Sequence, residues 1–80
     1  MIQEFIRKVE SLHEVEYGDF KRKVGQYVNR LEQRLTDPQA RSIIDRIRYV
    51  VVYDPPNDIL IAREETLALA QQLLASQTVH

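Results

Sequence analysis

The chain has 80 residues, of which 44% are hydrophobic and 29% are charged, and it contains no cysteine. This length suits one domain with a thin core, and the composition is typical of a globular protein rather than of a disordered or membrane protein. The lack of cysteine excludes disulfides and thiolate zinc sites, and no apolar run approaches the ~20 residues of a membrane-spanning helix. We therefore expect a single cytoplasmic domain over residues 1–80, with no membrane segment.

The net charge of −1 is unevenly distributed along the chain. Residues 20–48 carry eight cations and three anions, whereas the segments before and after each have a net charge of −3. A basic middle either complements acidic neighbours within the fold or binds an anionic partner. We favour the first interpretation, because in so small a fold the acidic ends lie within one or two screening lengths of ~8 Å from the middle.

The first two predicted elements are amphipathic helices. Ile2, Phe5, Ile6, Val9 and Leu12 recur at steps of three and four residues, which predicts a helix over residues 2–13. Gly18 breaks this pattern, and Asp19 is a good N-cap for a second helix over residues 19–35. The apolar positions of that helix are Phe20, Val24, Tyr27, Val28, Leu31 and Leu35.

A third helix is predicted over residues 38–53. Asp37 can cap its first turn, and Pro38 suits the first helical position because its missing N–H would have no partner there. The connection from the second helix is short, so the two helices should be antiparallel or sharply angled neighbours. The predicted inner face consists of Ala40, Ile43, Ile44, Ile47, Val50 and Val51.

The fourth helix is predicted over residues 63–75, after a rigid turn at residues 54–58 that contains Pro55 and Pro56. One helix starting at Ile59 would put Ile61 on the polar side and Arg63 in the middle of the apolar side, so we expect residues 59–62 to be extended. Residues 76–80 should form a frayed tail. The fold class is thus an all-α, small four-helix bundle, and the alternative interpretation is a β-hairpin over residues 49–62.

The residues that could carry catalysis or bind a metal do not form a pattern. Glu10 and His13 have the spacing of a carboxylate–histidine metal pair, but the chain offers no second pair of ligands. The serines have no neighbouring base to activate them, and two glycines are too few for a phosphate-binding loop. We therefore expect no enzyme activity, no catalytic residue, no metal site and no cofactor.

A candidate partner-binding site lies around the double proline. Its apolar members fall outside the inner faces of the helices, and an apolar surface that carries tyrosines beside acidic residues is typical of a protein interface. The alternative is that these side chains pack the turn against the first helix. The site would bind another protein, of unknown identity, or a second copy of the chain. Its predicted residues are Tyr49, Val52, Tyr53, Asp54, Asp58 and Ile61.

Nucleic-acid binding through the second and third helices is the alternative function. The short turn at residues 36–38 superficially resembles a helix-turn-helix connection. Asp45 interrupts the candidate recognition helix, no aromatic residues alternate with the cations, and the chain is not basic, so we consider this partner class the less favoured. The residues that would bind nucleic acid are Lys21, Arg22, Lys23, Arg41 and Arg48.

The order of the predicted elements is similar to that of small bacteriocin immunity proteins of the colicin D type. A short first helix, an acidic connection, a long basic helix, a helix started by Pro38, a turn with tyrosines and a closing helix follow one another. The resemblance is one of order and length, without a diagnostic motif. It would imply an inhibitor that covers a basic toxin active site with acidic residues, and the basic middle of this chain departs from that pattern.

Overall fold

A computed structural model describes residues 1–78, without the side chain of residue 78. Four α-helices and one π-helix make up this part of the chain, and the described residues contain no strand. The predicted all-α fold is confirmed, and the alternative interpretation of residues 49–62 as a β-hairpin is wrong. In chain order the elements are α1 (Ile2–Glu10), α2 (Tyr17–Arg34), α3 (Pro38–Arg48), π1 (Tyr49–Tyr53) and α4 (Ile59–Thr78).

One hydrophobic core lies between the four helices. α4 packs along both α1 and α3, and α3 packs against α2. The apolar face predicted for the first helix is buried throughout, and α2, α3 and α4 each contribute residues spaced by one helical turn. The largest side chains that are completely enclosed are Phe20, Ile44, Ile47 and Leu73.

The connection between α1 and α2 differs from the prediction. α1 ends at Glu10 rather than at residue 13, and α2 begins at Tyr17 rather than at Asp19. The chain reverses its direction at Glu14, which has a φ of 54°. Gly18, which was expected to break the helical pattern, lies within the first turn of α2. Tyr17 is the first residue of α2, and its side chain is half-buried against the core. Asp19 lies in the first turn, where its negative charge is favourable.

The third helix is capped as predicted and continues to Tyr53, but its last turn is wider than an α-helical turn. Asp37 accepts a hydrogen bond from the Ala40 N–H at 3.0 Å. From residue 49 the chain becomes π-helical, and the Asp54 N–H donates to the Tyr49 carbonyl at 2.9 Å, five residues back. Pro55 follows directly, and a residue before proline is kept out of the α-helical region, so the helix ends there.

The predicted extended segment at residues 59–62 is wrong, because α4 begins at Ile59. The Asp58 carboxylate accepts from the Leu60 N–H at 2.9 Å, and the Asp58 carbonyl accepts from the Ala62 N–H at 3.1 Å. These two bonds satisfy N–H groups that a helix start leaves without partners. The side chain of Asp58 therefore stabilises a helix start four residues earlier than predicted.

Arg63 lies on the inner side of α4 and has partners at the end of α1. Its guanidinium donates to the Leu12 carbonyl at 3.3 Å and lies 3.1 Å from Nδ1 of His13. The positive charge of Arg63 on the apolar side of α4 is thus stabilised by a hydrogen bond to the backbone carbonyl of Leu12. At its other end α4 continues to Thr78, so residues 76–78 are helical, and residues 79–80 of the predicted frayed tail lie outside the described residues.

Over the described range, none of the helices combines the length and the apolar character that crossing a bilayer requires.

Candidate partner-binding surface

Most of the large apolar side chains that remain exposed lie in one short part of the chain. The described residues contain six of them, and five fall within residues 49–61, which we call the exposed apolar segment; the other is Met1. Tyr53 is 70% exposed. A cluster of exposed apolar side chains in one segment is uncommon in a monomer and is typical of an interaction site. The five residues are Tyr49, Val52, Tyr53, Leu60 and Ile61.

The widened turn of π1 determines which side chains of this segment face the core. Val51 is buried, whereas Tyr49, Val52 and Tyr53 remain exposed. The rings of Tyr49 and Tyr53 are neighbours, with centroids 6.4 Å apart and planes inclined by 43°. Within residues 1–78 neither phenol group has a hydrogen-bond partner. The two rings therefore form one amphipathic surface, with apolar faces and two hydroxyl groups available to a partner.

The loop between π1 and α4 is fixed to the start of α2. Tyr17 donates its hydroxyl proton to the Pro56 carbonyl at 2.6 Å, and Lys21 lies over the Tyr17 ring at 4.7 Å from its centroid. Burial raises the pKa of the Tyr17 phenol, and the negative charges of Asp58 and Glu65 raise it further. The phenol stays protonated at neutral pH and keeps this hydrogen bond, which anchors the loop between π1 and α4 to α2.

The surroundings of the exposed apolar segment are acidic. Asp54, Asp58, Glu64 and Glu65 are all exposed. Arg63 is the sole cation among residues 49–65, and its guanidinium points to the end of α1 rather than to these carboxylates. The structure thus places the six predicted partner-binding residues in one exposed stretch of chain with a negative charge beside it.

Leu60 is a further exposed residue of the exposed apolar segment and is not among the six predicted partner-binding residues. The extended conformation assumed for residues 59–62 gave no reason to separate Leu60 from its neighbours. The sequence feature that indicates a helix start at this point is Asp58. Aspartate often caps helices, and Asp58 lies directly after a proline-rich turn and before an apolar run. A helix starting there puts Leu60 and Ile61 on its outer side, away from the buried Ala62.

The five basic residues of the alternative nucleic-acid site do not form one surface. Lys21, Arg22 and Lys23 lie at the start of α2, whereas Arg41 lies in the first turns of α3, which follows the other end of α2. From Lys23 to Arg34, the last residue of α2, the helix rises by about 17 Å at ~1.5 Å per residue. The arrangement lacks the continuous basic strip that a phosphate backbone needs.

Two of these cations are also neutralised within the fold. Arg22 is paired with Asp19 at 2.9 Å. Arg48 is half-buried, with its guanidinium 2.6 Å from Glu32 and 3.0 Å from Asn29. These contacts match the first interpretation of the charge pattern, in which the basic middle of the chain complements acidic groups of the same molecule.

Within residues 1–78 no group of three or more histidine or acidic side chains is arranged to hold a metal ion. No protein-family model, no curated protein and no solved structure matches the chain. The resemblance in element order to immunity proteins therefore has no support from these comparisons.

Proposed function

We propose that this protein is a small, non-enzymatic protein–protein interaction module that binds its partner through the exposed apolar segment. The observation that carries the proposal is that, of the six large apolar side chains exposed in the described part of the chain, five lie within residues 49–61. A solvated surface has no need of such a cluster, whereas a partner that covers it removes this apolar area from water. An inhibitor of the immunity type and an adaptor would both use a surface of this kind.

Tyr49 and Tyr53 are the expected centre of the interface. Tyrosine is among the residue types that contribute most to binding, because its ring offers a large contact area and its hydroxyl a hydrogen bond. The two rings are already neighbours, and the loop beside them is fixed by the bond between Tyr17 and Pro56. A surface held in its binding conformation loses little conformational entropy when the partner binds.

The charges favour a partner with lysine or arginine side chains around an apolar pocket. Asp54 and Asp58 flank the double proline of the exposed apolar segment, and the segment itself carries no cation. Complementary charges accelerate association and reject partners of the same sign. A symmetric dimer through this segment would place Asp54 and Asp58 of both copies in one interface without a cation of the segment to pair with them, which is unfavourable. We therefore propose a different protein as the partner, rather than a second copy.

A cytoplasmic location is part of the same proposal. The chain has no cysteine, so its folding requires no oxidising compartment.

Photo-crosslinking in the source cells tests the proposal. A photoreactive amino acid is introduced at position 52, and adducts are compared between the otherwise unchanged chain and the variants Tyr53→Ala and Asp54→Lys. We expect a discrete adduct that both changes weaken, the first by removing contact area and the second by reversing a charge at the rim. The matched controls are Gln26→Ala and Glu10→Lys, which alter exposed residues of α2 and α1 and should leave the adduct unchanged.

Three results would count against the proposal. The first is an adduct that both variants leave unchanged, because the exposed apolar segment would then not be the contact surface. The second is an adduct of twice the chain's own mass, together with a light-scattering mass that falls on dilution, which would replace the partner protein with a second copy. The third is the absence of any adduct from position 52 when the same reagent placed on α2 gives one.

A further inference from the structure

A second surface feature is a groove whose lining contains none of the residues of the exposed apolar segment. It lies between α1 and the second half of α2 and has a volume of about 470 Å³, which is within the usual range for small-molecule sites. Phe5 and Leu31 are buried side chains at its base, and Tyr27 is half-buried beside them. The ring of Tyr27 meets the ring of Phe5 edge to face, with centroids 6.4 Å apart. The base of the groove is therefore apolar and largely aromatic.

The rim of the groove is cationic. Arg30 and Arg34 line it and lie one helical turn apart on α2. Both are exposed, and within residues 1–78 neither is paired with a carboxylate. Two like charges at this spacing repel each other, and an anion placed between them would relieve the repulsion. Arginine is also the side chain whose planar set of donors best fits a carboxylate or a phosphate.

The acidic residue of the groove does not neutralise these arginines. Glu4 is paired with Lys8 at 3.2 Å, and Lys8 also lies over the Tyr27 ring at 5.2 Å from its centroid. The hydrogen bond and the charge of Lys8 hold the pKa of the Glu4 carboxyl below its ordinary value, so this pair stays ionised at neutral pH. Two positive charges remain at the rim.

We propose that this groove binds a small aromatic oxyanion, meaning a carboxylate or a phosphate monoester joined to an aromatic ring. The oxyanion lies between Arg30 and Arg34, and the ring of the ligand lies over Phe5, Tyr27 and Leu31. The arginines at the rim bind the anionic group of such a ligand, and the side chains at the base contact its ring. An inorganic anion would make no contact with the half-buried ring of Tyr27, and an uncharged aromatic compound would leave the arginines without a partner.

Titration followed by two-dimensional NMR tests the proposal on the full chain. The probes are phenyl phosphate and phenylacetate, with inorganic phosphate and benzyl alcohol as the matched fragments of the same chemistry. We expect both aromatic anions to shift amide signals of residues 1–8 and 27–34, and to bind at least tenfold more tightly than either fragment. Each arginine contributes a charge-assisted hydrogen bond, so Arg30→Gln and Arg34→Gln should each weaken binding roughly 10-fold to 100-fold.

Arg41→Gln is the control variant, because Arg41 is an exposed arginine outside the groove; its affinity for both probes should be unchanged. Equal affinities for phenyl phosphate and inorganic phosphate would reduce the site to nonspecific anion binding and overturn the proposal. Unchanged affinities in both glutamine variants would overturn it as well. A single-stranded oligonucleotide that binds through the same two arginines, more tightly than either probe, would instead assign the groove to nucleic acid.

Discussion

α3 and π1 follow each other without a break, and both are rich in β-branched residues, yet their side chains have opposite environments. In α3 the apolar residues Ala40, Ile44 and Ile47 are completely buried. In π1 only Val51 is buried, and three of the five side chains are exposed. The change from an α-helical to a π-helical turn at residue 49 separates a segment that builds the core from one that leaves its apolar side chains in water. The composition of the two segments alone would not distinguish them.

The largest expected effect compares isoleucines in the two environments. Ile44 is fully buried in α3, whereas Ile61 is 47% exposed at the start of α4. We expect Ile44→Ala to lower the free energy of unfolding by about 2–5 kcal/mol, because it removes buried methyl groups and leaves a cavity. Ile61→Ala should change it by less than about 0.5 kcal/mol. Urea denaturation followed by circular dichroism measures both, and similar losses would contradict the comparison.

Two adjacent valines of π1 give a narrower comparison. Val51 is 1% exposed and Val52 is 53% exposed. Val51→Ala should lower the free energy of unfolding by roughly 1.5–3 kcal/mol, through lost burial and a small cavity, while Val52→Ala should have almost no effect. Both variants replace a valine of π1 by alanine, so a difference in stability between them cannot result from helix propensity. If Val52→Ala is the more destabilising variant, the side chains of π1 point in other directions.

The anchor of the loop should have a smaller effect on stability. Tyr17→Phe removes the hydrogen bond to the Pro56 carbonyl while keeping the ring that packs against the core. We expect a loss of about 0.5–1.5 kcal/mol and faster hydrogen exchange of the amides in residues 54–60, with little change in α3. Tyr49→Phe is the control, because the Tyr49 hydroxyl has no partner within residues 1–78. Equal exchange rates in wild type and Tyr17→Phe would show that the bond does not fix the loop.

The pH dependence of the same contact should be the smallest effect. The pKa of the Tyr17 phenol is raised in the folded protein, so between the unfolded value of about 10 and the folded value the native state binds more protons than the unfolded state. Stability should therefore be constant with respect to this group below pH ~10 and fall as the pH rises above it. Tyr17→Phe should reduce this alkaline loss of stability. If the stability of Tyr17→Phe falls above pH ~10 as much as that of the wild type, the Tyr17 phenol is not the cause of the loss.

The fold class and the core could be predicted because they depend on local periodicity. The apolar residues predicted for the first helix are all buried, and Asp37 caps α3 as its residue type indicates. The start of α4 could not be predicted in this way, because Arg63 is tolerated on the inner side only through the Leu12 carbonyl, which lies 51 positions earlier in the chain. A local pattern carries no information about such a distant partner.

The candidate site shows the same limit. Tyr49, Val52, Tyr53 and Ile61 could be assigned to the surface because they fall outside the helical faces, and all are exposed. Leu60 was missed because its exposure depends on where α4 begins, which the sequence analysis placed wrongly. The π-helical hydrogen bond from Asp54 to Tyr49 has no sequence signature of its own, so the boundary between α3 and π1 was not predictable either.

The chain has no cysteine, so single cysteines introduced at positions 49 to 53 allow the exposure of each side chain to be measured through its rate of thiol labelling. Fast labelling of Tyr49→Cys, Val52→Cys and Tyr53→Cys, and strong protection of Val51→Cys, is the result that the arrangement of π1 predicts. A strict alternation of fast and slow labelling along the five positions, or protection at position 53, would contradict it and remove the basis for the proposed interface.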